Sequence, residues 1–475
     1  MSRRFRFCFI LLAAGVLLLA ACAPRHVHRH VKPRVPVQQV DFQSEIRAIE
    51  HNEKQYGTTN RLLYFWDLGS LFHYAEQFDS STAYLLKASD VYDGLFARSV
   101  TNEAASFLTN DNVRPYRSRP FELVLLHQFL AMNYAAAGNV DDALVETRRM
   151  QLLFNEWERT GAHDGKYVSD GMFHYVSSML YDAKEQTDDA MISLYNAVKA
   201  FQTGPVPLPE RVKDYACGML TKNNRATDID QLKIAVDTSR GKSPDTINGQ
   251  SEIILVGYAG KGPGLKEEMW WGTYVIDGLL VLYHTAANGH KDMLTLPAPP
   301  LPEGENAKSG ATFHLKFTLP QIKTFASQTC YFTVKGDFLL SPVQAEIVND
   351  LDAQMQKSLD DSRKETITRT VIRVALRTIA AQTAKEKLQA SLPVANLLLN
   401  AGTDALTDQL EKADTRSCFL LPKTIQIARV PVNPGVYSLA VEARDRSGSV
   451  ISTRQYADLK VQPGQKKFIF CSSFQ

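Results

Sequence analysis

Reactive side chains are sparse in this sequence, and the one in a recognisable chemical setting is Cys22. It follows Leu19-Ala20-Ala21, small residues of the kind cut by a signal peptidase, so the spacing reads as a lipobox. The expected chemistry is cleavage before Cys22 and acylation of its thiol and its new amine. The elements that would position it are Arg3, Arg4 and Arg6 and the apolar run from Phe7 to Leu19. A positive start, an apolar stretch and small residues before the cut make a secretory signal. The run is shorter than the roughly 20 residues a membrane-spanning helix needs. Acyl chains hold a protein at about 0.8 kcal/mol per buried CH2. Ala23 stands where an aspartate would be the usual inner-membrane retention signal of enteric-type bacteria, which points to the outer membrane, periplasm-facing.

The other candidate centres carry less. Of six cysteines, Cys8 leaves with the signal and Cys22 takes lipid. Cys217, Cys330, Cys418 and Cys471 remain, in a compartment that permits disulfides. Cys418 and Cys471 flank one strand-rich tail and form the candidate pair; four buried thiols are the alternative. No CxxC is present, which argues against a redox centre or zinc ribbon. His26, His28 and His30 alternate in a proline-rich basic stretch that lacks the fixed geometry of a metal site. Ser239 to Lys242 has SxxK spacing but sits in a loop, and Gly257 to Gly264 is glycine-rich without a Walker signature. HExxH and GxSxG are absent. The sequence therefore predicts no catalytic residues, no metal and no cofactor. Trp270-Trp271, read as part of a Gly-rich loop, could anchor an interface or a carbohydrate, or plug a sheet edge.

Composition sets the scale. The 475 residues are 44% hydrophobic and 22% charged, with a formal net charge of +2, ordinary values for a globular chain. Loss of three arginines with the signal leaves the remainder near neutral, which argues against nucleic acid as partner. Residues 1–21 read as the signal peptide and 22–40 as a lipidated basic tether. From 41 to 213 apolar and small residues recur at helical spacing. Three stretches share the register of a tetratricopeptide-type hairpin: Leu68 to Ala88, Leu130 to Met150 and, more weakly, Tyr181 to Ala197. Their crossing positions would be Ser81, Ala143 and Ala190. The second hairpin carries Glu122, Asn133, Tyr134, Glu146 and Arg149, which would line a partner-binding groove or lock two helices together.

After a break at Pro205, Pro207 and Pro209, residues 214–250 read as a linker. Strand patterns follow over 251–340, a helical insertion over 341–413, and strands again over 414–475. In the insertion Arg369, Arg373 and Arg377 recur every fourth residue, opposite a stripe of Val371, Val374, Ala375 and Ile379. They would form a cationic face toward lipid or wall polymer, or a solvated one. The fold class is α+β and multidomain: a tetratricopeptide-like helical array, then a β-rich domain with a helical insertion.

The segment FLAMNYAAAGNVDDALVETRR resembles the run LALNYLxxGDxxxALVExRR of a family of bacterial lipoproteins. Tyr116, Glu122 and the loop GKGPGLKEE fit as well, and DTRSCFLLPKTIQIARVPVNPGVY resembles that family's DxRSWxxLPxxIQxARxxLPPG segment. Cys418 stands in place of its Trp, and Asn433-Pro434 in place of a Pro-Pro. The resemblance implies architecture and location rather than a reaction. Two functions are expected from these readings. One is a non-enzymatic adaptor for an envelope protein, with Glu122, Asn133, Tyr134, Glu146 and Arg149 on the groove and Trp270 and Trp271 on the Gly-rich loop. The other is a binder of peptidoglycan or exported polysaccharide through the β domain.

Overall fold

The computed structural model describes residues 40–99, 114–160, 170–235, 251–286, 289–301, 309–391 and 412–475. The signal, Cys22, most of the tether and the SxxK stretch lie outside them. Residues Gln39–Gln475 pack as one unit.

The helical part opens with α1 (Phe42–His51) and α2 (Glu53–Tyr56). Asp41 caps α1 by accepting from the Ser44 N–H at 3.2 Å. Helix hairpins follow: α3 (Arg61–Tyr74) with α4 (Phe78–Ser99), α5 (Pro120–Ala136) with α6 (Val140–Thr160), and α7 (Gly171–Ala183) with α8 (Thr187–Thr203). The proposed crossing residues Ser81, Ala143 and Ala190 are all fully buried. At the first crossing a Cβ on Gly69 would stand 2.4 Å from Leu85, and the Ser81 hydroxyl donates to the Gly69 carbonyl at 2.7 Å. Small residues there let the two helices touch. The first part of the expected linker is a correction, being held in α9 (Glu210–Lys222) and α10 (Ala226–Leu232), while its residues 236–250 lie outside the described ones. Val212, Tyr215, Ala216 and Leu220 supply the buried side of α9, and Leu232 that of α10.

Among the described residues twelve strands form three four-stranded sheets. The first joins β12 (Lys466–Ser473), β1 (Ser251–Lys261), β9 (Pro422–Val432) and β8 (Glu346–Asp350), in that order. β12 runs parallel to β1, while β9 is antiparallel to β1 and to β8. The near-continuous apolar run of β1 has its cause here, because both faces of the sheet are covered. Ile254, Val256, Tyr258, Phe468 and Phe470 pack on the helices. Ile253, Leu255, Ala259, Ile469 and Cys471 pack on the second sheet, of order β11 (Val450–Val461), β10 (Gly435–Arg444), β6 (Tyr331–Lys335) and β7 (Val343–Gln344). Gly257 lies on that second face, where a Cβ would meet the Phe332 ring at 2.3 Å.

The third sheet has the order β4 (Lys291–Pro297), β3 (Leu279–Thr285), β2 (Gly264–Val275) and β5 (Thr312–Lys323). Its inner face packs on α11 (Leu351–Ser391) through Ile367, Val371, Val374 and Ala375, as the apolar stripe requires. Two boundaries move. Residues 343–350 are strands rather than the start of the helical insertion, and the Gly-rich loop shrinks to Gly262-Pro263 between β1 and β2. Gly262 is needed because a Cβ would lie 2.4 Å from the Pro422 carbonyl.

Candidate functional site

The residues expected in a helical groove are mostly spent inside the fold. Asn133 on α5 is buried, accepts from His73 at 2.6 Å and donates to the Ser81 hydroxyl at 2.8 Å. Glu122 is buried and closes the start of α5, accepting from the Arg119 backbone N–H at 2.8 Å and from the Tyr116 hydroxyl at 2.7 Å. Glu146 on α6 pairs with His127 at 2.7 Å, both buried. Tyr134 is half-buried against the helical core. Arg149 pairs with Asp93 at the surface. The surface such a groove would offer is filled by the first sheet, with the return segment 413–421 bound alongside it. Tyr258 reaches His73, the Tyr74 hydroxyl donates to the Leu420 carbonyl at 3.0 Å, and the Phe419 N–H donates to Asp67 at 2.6 Å. The near-continuous apolar run of β1 could have signalled cover on both faces, but not which helices it meets.

The same interface holds a buried ion cluster that the sequence reading missed. Arg429 on β9 makes two bonds of 2.7 Å to Glu252 on β1. Lys466 on β12 bonds Glu252 at 2.6 Å and Asp182 on α7 at 2.7 Å. The Arg429 guanidinium lies 3.8 Å from the Tyr215 ring centre. Two cations and two carboxylates thus balance across four elements, the pairing that buried charges require.

The expected Cys418–Cys471 pair is a correction, since all four described cysteines are free. Cys418 lies among the helices, 3.7 Å from the Ser70 hydroxyl. Cys471 lies on the far face of the first sheet. Burial pushes the Cys471 thiol up to about 12 and the Cys418 thiol well above its usual value. Neither has the thiolate character of a nucleophile.

The tryptophans sit in mid-strand, not on a loop, and adjacent strand residues face opposite ways. Trp270 points inward and is buried. Its indole N–H donates to Glu268 at 2.9 Å, and its ring lies on His284. Trp271 points outward. Lys316, Trp271, Tyr283 and Met293 stand opposite one another on β5, β2, β3 and β4. The Trp271 and Tyr283 rings are nearly parallel, 6.0 Å apart at 14°. Tyr283 is 48% exposed, Met293 74% and nearby Leu279 54%. Three apolar side chains thus stand in a row across β2, β3 and β4, with Lys316 at its end on β5. Beside Trp270, between the inner edge of this sheet and α11, lies a cavity of about 220 Å3 lined by Glu268, Asp292, Gln321, Gln356 and Arg363. Arg363 stands 5.6 Å from the Trp270 ring centre.

Among the described residues no group of His, Cys, Asp or Glu is arranged to hold a metal, and no helix is long and apolar enough to cross a membrane. No family model, curated protein or solved structure matches the chain.

Proposed function

We propose that this chain is a non-enzymatic adaptor of the bacterial envelope. In this reading it is anchored by acylated Cys22 at the periplasmic face of the outer membrane and engages an envelope protein through the outer face of the third sheet. The carrying observation is the outward row of half-buried Trp271 with exposed Tyr283 and Met293, and exposed Leu279 on the same strand as Tyr283. Aromatic residues and Met are enriched in protein interfaces, whereas the rest of such a surface carries more charge. The helix hairpins, read as tetratricopeptide-type on the strength of their buried small crossing residues, serve as the rigid backing for the β part. The groove version of the adaptor loses its support, because the molecule's own sheet occupies that surface.

The test is crosslinking in living cells followed by mass spectrometry of what co-purifies. One envelope protein recovered in stoichiometric amount, and lost with Trp271→Ala/Tyr283→Ala, is the expected outcome. Recovery of the same protein by that variant at undiminished yield sinks the assignment of the face. Sedimentation with purified sacculi that the variant abolishes moves the function to polymer binding.

A further inference from the structure

A smaller cavity, of about 110 Å3, lies where α7, α9, β8 and β9 meet. Its polar walls are Arg211, Asp214 and Tyr215 from α9, Glu346 from β8 and Arg429 from β9. Three of these side chains carry a buried polar atom with no hydrogen-bond partner among the described residues: Nη1 of Arg429, the Tyr215 hydroxyl and Oδ1 of Asp214. Arg429 is 7% exposed and Tyr215 5%. Folded interiors rarely leave such atoms unpaired, because taking a donor or acceptor out of water without a new partner is costly. Three on the walls of one cavity make a recognition set.

The ion cluster fixes where they point. Glu252 takes Nε and Nη2 of Arg429, each at 2.7 Å. A planar guanidinium held by that edge turns Nη1 to the opposite side. The same guanidinium lies 3.8 Å from the Tyr215 ring centre, so the cation meets the ring face and leaves the hydroxyl proton unspent. Burial raises the Tyr215 hydroxyl above its usual value, against the pull of Arg429, and the phenol keeps that proton to donate. The charge of Arg429 is already balanced, since Glu252 and Asp182 offset Arg429 and Lys466. Arg211 is exposed and Asp214 and Glu346 are half-buried, which puts them toward the mouth. There the Arg211 backbone N–H donates to Glu346 at 2.9 Å. Burial raises Glu346, the Arg211 charge opposes this, and the Asp214 carboxylate adds to the rise. Asp214 and Glu346 therefore stand within each other's field.

This distribution selects a ligand. A lone anion would satisfy Arg429 and Tyr215 but stand beside two carboxylates. A lone cation would suit the carboxylates and leave the Arg429 and Tyr215 donors unmade. A molecule with an anion at one end and an ammonium at the other answers both. We infer that the cavity binds a small α-amino acid as its zwitterion, the carboxylate toward Nη1 of Arg429 and the Tyr215 hydroxyl, the ammonium toward Asp214 and Glu346. Hydrogen bonds with an ionised partner are the stronger kind. Val212, Val348 and Ile427 give apolar wall for a short side chain. A cavity of about 150 Å3 takes a benzene molecule, so this smaller one suits an amino acid the size of alanine. The site shares no residue with the Trp271 face and does not depend on the adaptor reading.

The experiment is calorimetric titration of the full-length chain in detergent with racemic alanine, acetate, ethylammonium and phenylalanine. Saturable alanine binding, at least about tenfold tighter than that of the other three, is expected, tenfold corresponding to about 1.4 kcal/mol. Asp214→Asn removes the charge and Tyr215→Phe the hydroxyl, and each should weaken alanine by about tenfold. Neither removed group is bonded within the protein, so the ligand-free variants should melt like the parent, and alanine should raise the parent's melting temperature more than theirs. No saturable alanine binding, acetate, ethylammonium or phenylalanine as tight as alanine, or binding indifferent to both substitutions, each overturns the assignment. Ligand-free variants that melt well below the parent show the two groups to be structural and overturn it as well. Trp271→Ala/Tyr283→Ala should bind alanine normally, so failure of the adaptor reading and failure of this one are told apart.

Discussion

The Tyr258 hydroxyl stands 2.5 Å from the His73 imidazole, joining the middle of the first sheet to the end of α3. The order of donors defines the pair. Ser81 gives its proton to the Gly69 carbonyl, Asn133 gives an amide proton to Ser81, and His73 therefore gives its Nδ1 proton to Asn133. Nε2 is left as the acceptor for Tyr258. His73 also lies flat on Phe129, with centroids 4.3 Å apart. Tyr258→Phe strands that nitrogen in a buried site and should cost roughly 1–3 kcal/mol. Urea unfolding measures it, and an unchanged midpoint would remove the pair from the account of how sheet and helices are joined.

The same burial makes stability depend on pH. It lowers both His73 and His174 from 6.5 to about 4. An unfolded chain takes up those protons below its ordinary histidine value, while the folded chain resists. Their contribution is complete above about pH 6.5 and is lost as pH falls toward 4, on the order of 3 kcal/mol each. Asp67 acts in the opposite sense. Burial raises its carboxyl from 3.8 to about 7, against the lowering effect of bonds from the Phe419 N–H and Tyr56 hydroxyl. Its contribution is present at low pH and fades as pH rises through 7. In Asp67→Asn the loss of stability from pH 6.5 to 4 should therefore be steeper than in the parent, as read from urea midpoints across that range.

Glu146 and Arg149 separate packing from surface charge. Glu146→Ala leaves the buried His127 nitrogen without its partner and should destabilise by roughly 1–3 kcal/mol. The Arg149–Asp93 pair is partly exposed, at 32% and 52%, and Arg149→Ala should change stability by less than about 1 kcal/mol. Thermal melting of the two single variants decides. Equal, negligible shifts would return Glu146 to the list of residues free to bind a partner.

Removing the cation at the centre of the buried cluster should be more damaging. Lys466→Met leaves Asp182 without the ammonium that balances it, and the loss of one member of a buried pair costs about 3–5 kcal/mol. A melting curve like the parent's would show that the carboxylates find other partners or stay protonated.

Thiol labelling of the native protein should distinguish Cys330 from the rest. Cys330 is half-buried, whereas Cys217, Cys418 and Cys471 are buried. One equivalent should react quickly and the other three described thiols only on unfolding. Labelling of only two of the four even after unfolding, with a mass two hydrogens short, would restore the disulfide.

Much of the architecture was legible. The period of the apolar residues separated helices from strands, small residues at Ser81, Ala143 and Ala190 marked crossings that are buried, and the Val371 stripe located the side of α11 that meets a sheet. What was not legible came from contacts between distant parts of the chain. Glu122, Asn133 and Glu146 look like groove residues because polar side chains on helices usually are exposed. Only the arrival of β1 and the return segment, and the hydrogen bonds within hairpins, turn them inward. Trp270-Trp271 read as a loop because the glycines before it suggest one, although Gly257 answers to the Phe332 ring, Gly260 to Ser327 and Gly262 to the Pro422 carbonyl. The ion cluster joins Lys466 to Glu252, 214 residues away, and to the still more distant Asp182, separations at which no local pattern reports pairing.

The parallel pairing of β12 with β1 dictates an order of assembly. Any machinery that delivers the chain from its beginning, whether ribosome or export channel, releases the helices first, and β1 well before the strand that must lie beside it. Until Lys466–Ser473 arrives, one edge of β1 is open to any passing strand, and apolar side chains that Phe468 and Phe470 will cover face water. The nascent protein therefore passes through a stage in which a broad sticky surface awaits its last strand, the stage at which a holding chaperone would be of use. Truncation just before Lys466 would hold every molecule at that stage, so the expected phenotype is aggregation rather than a smaller folded protein.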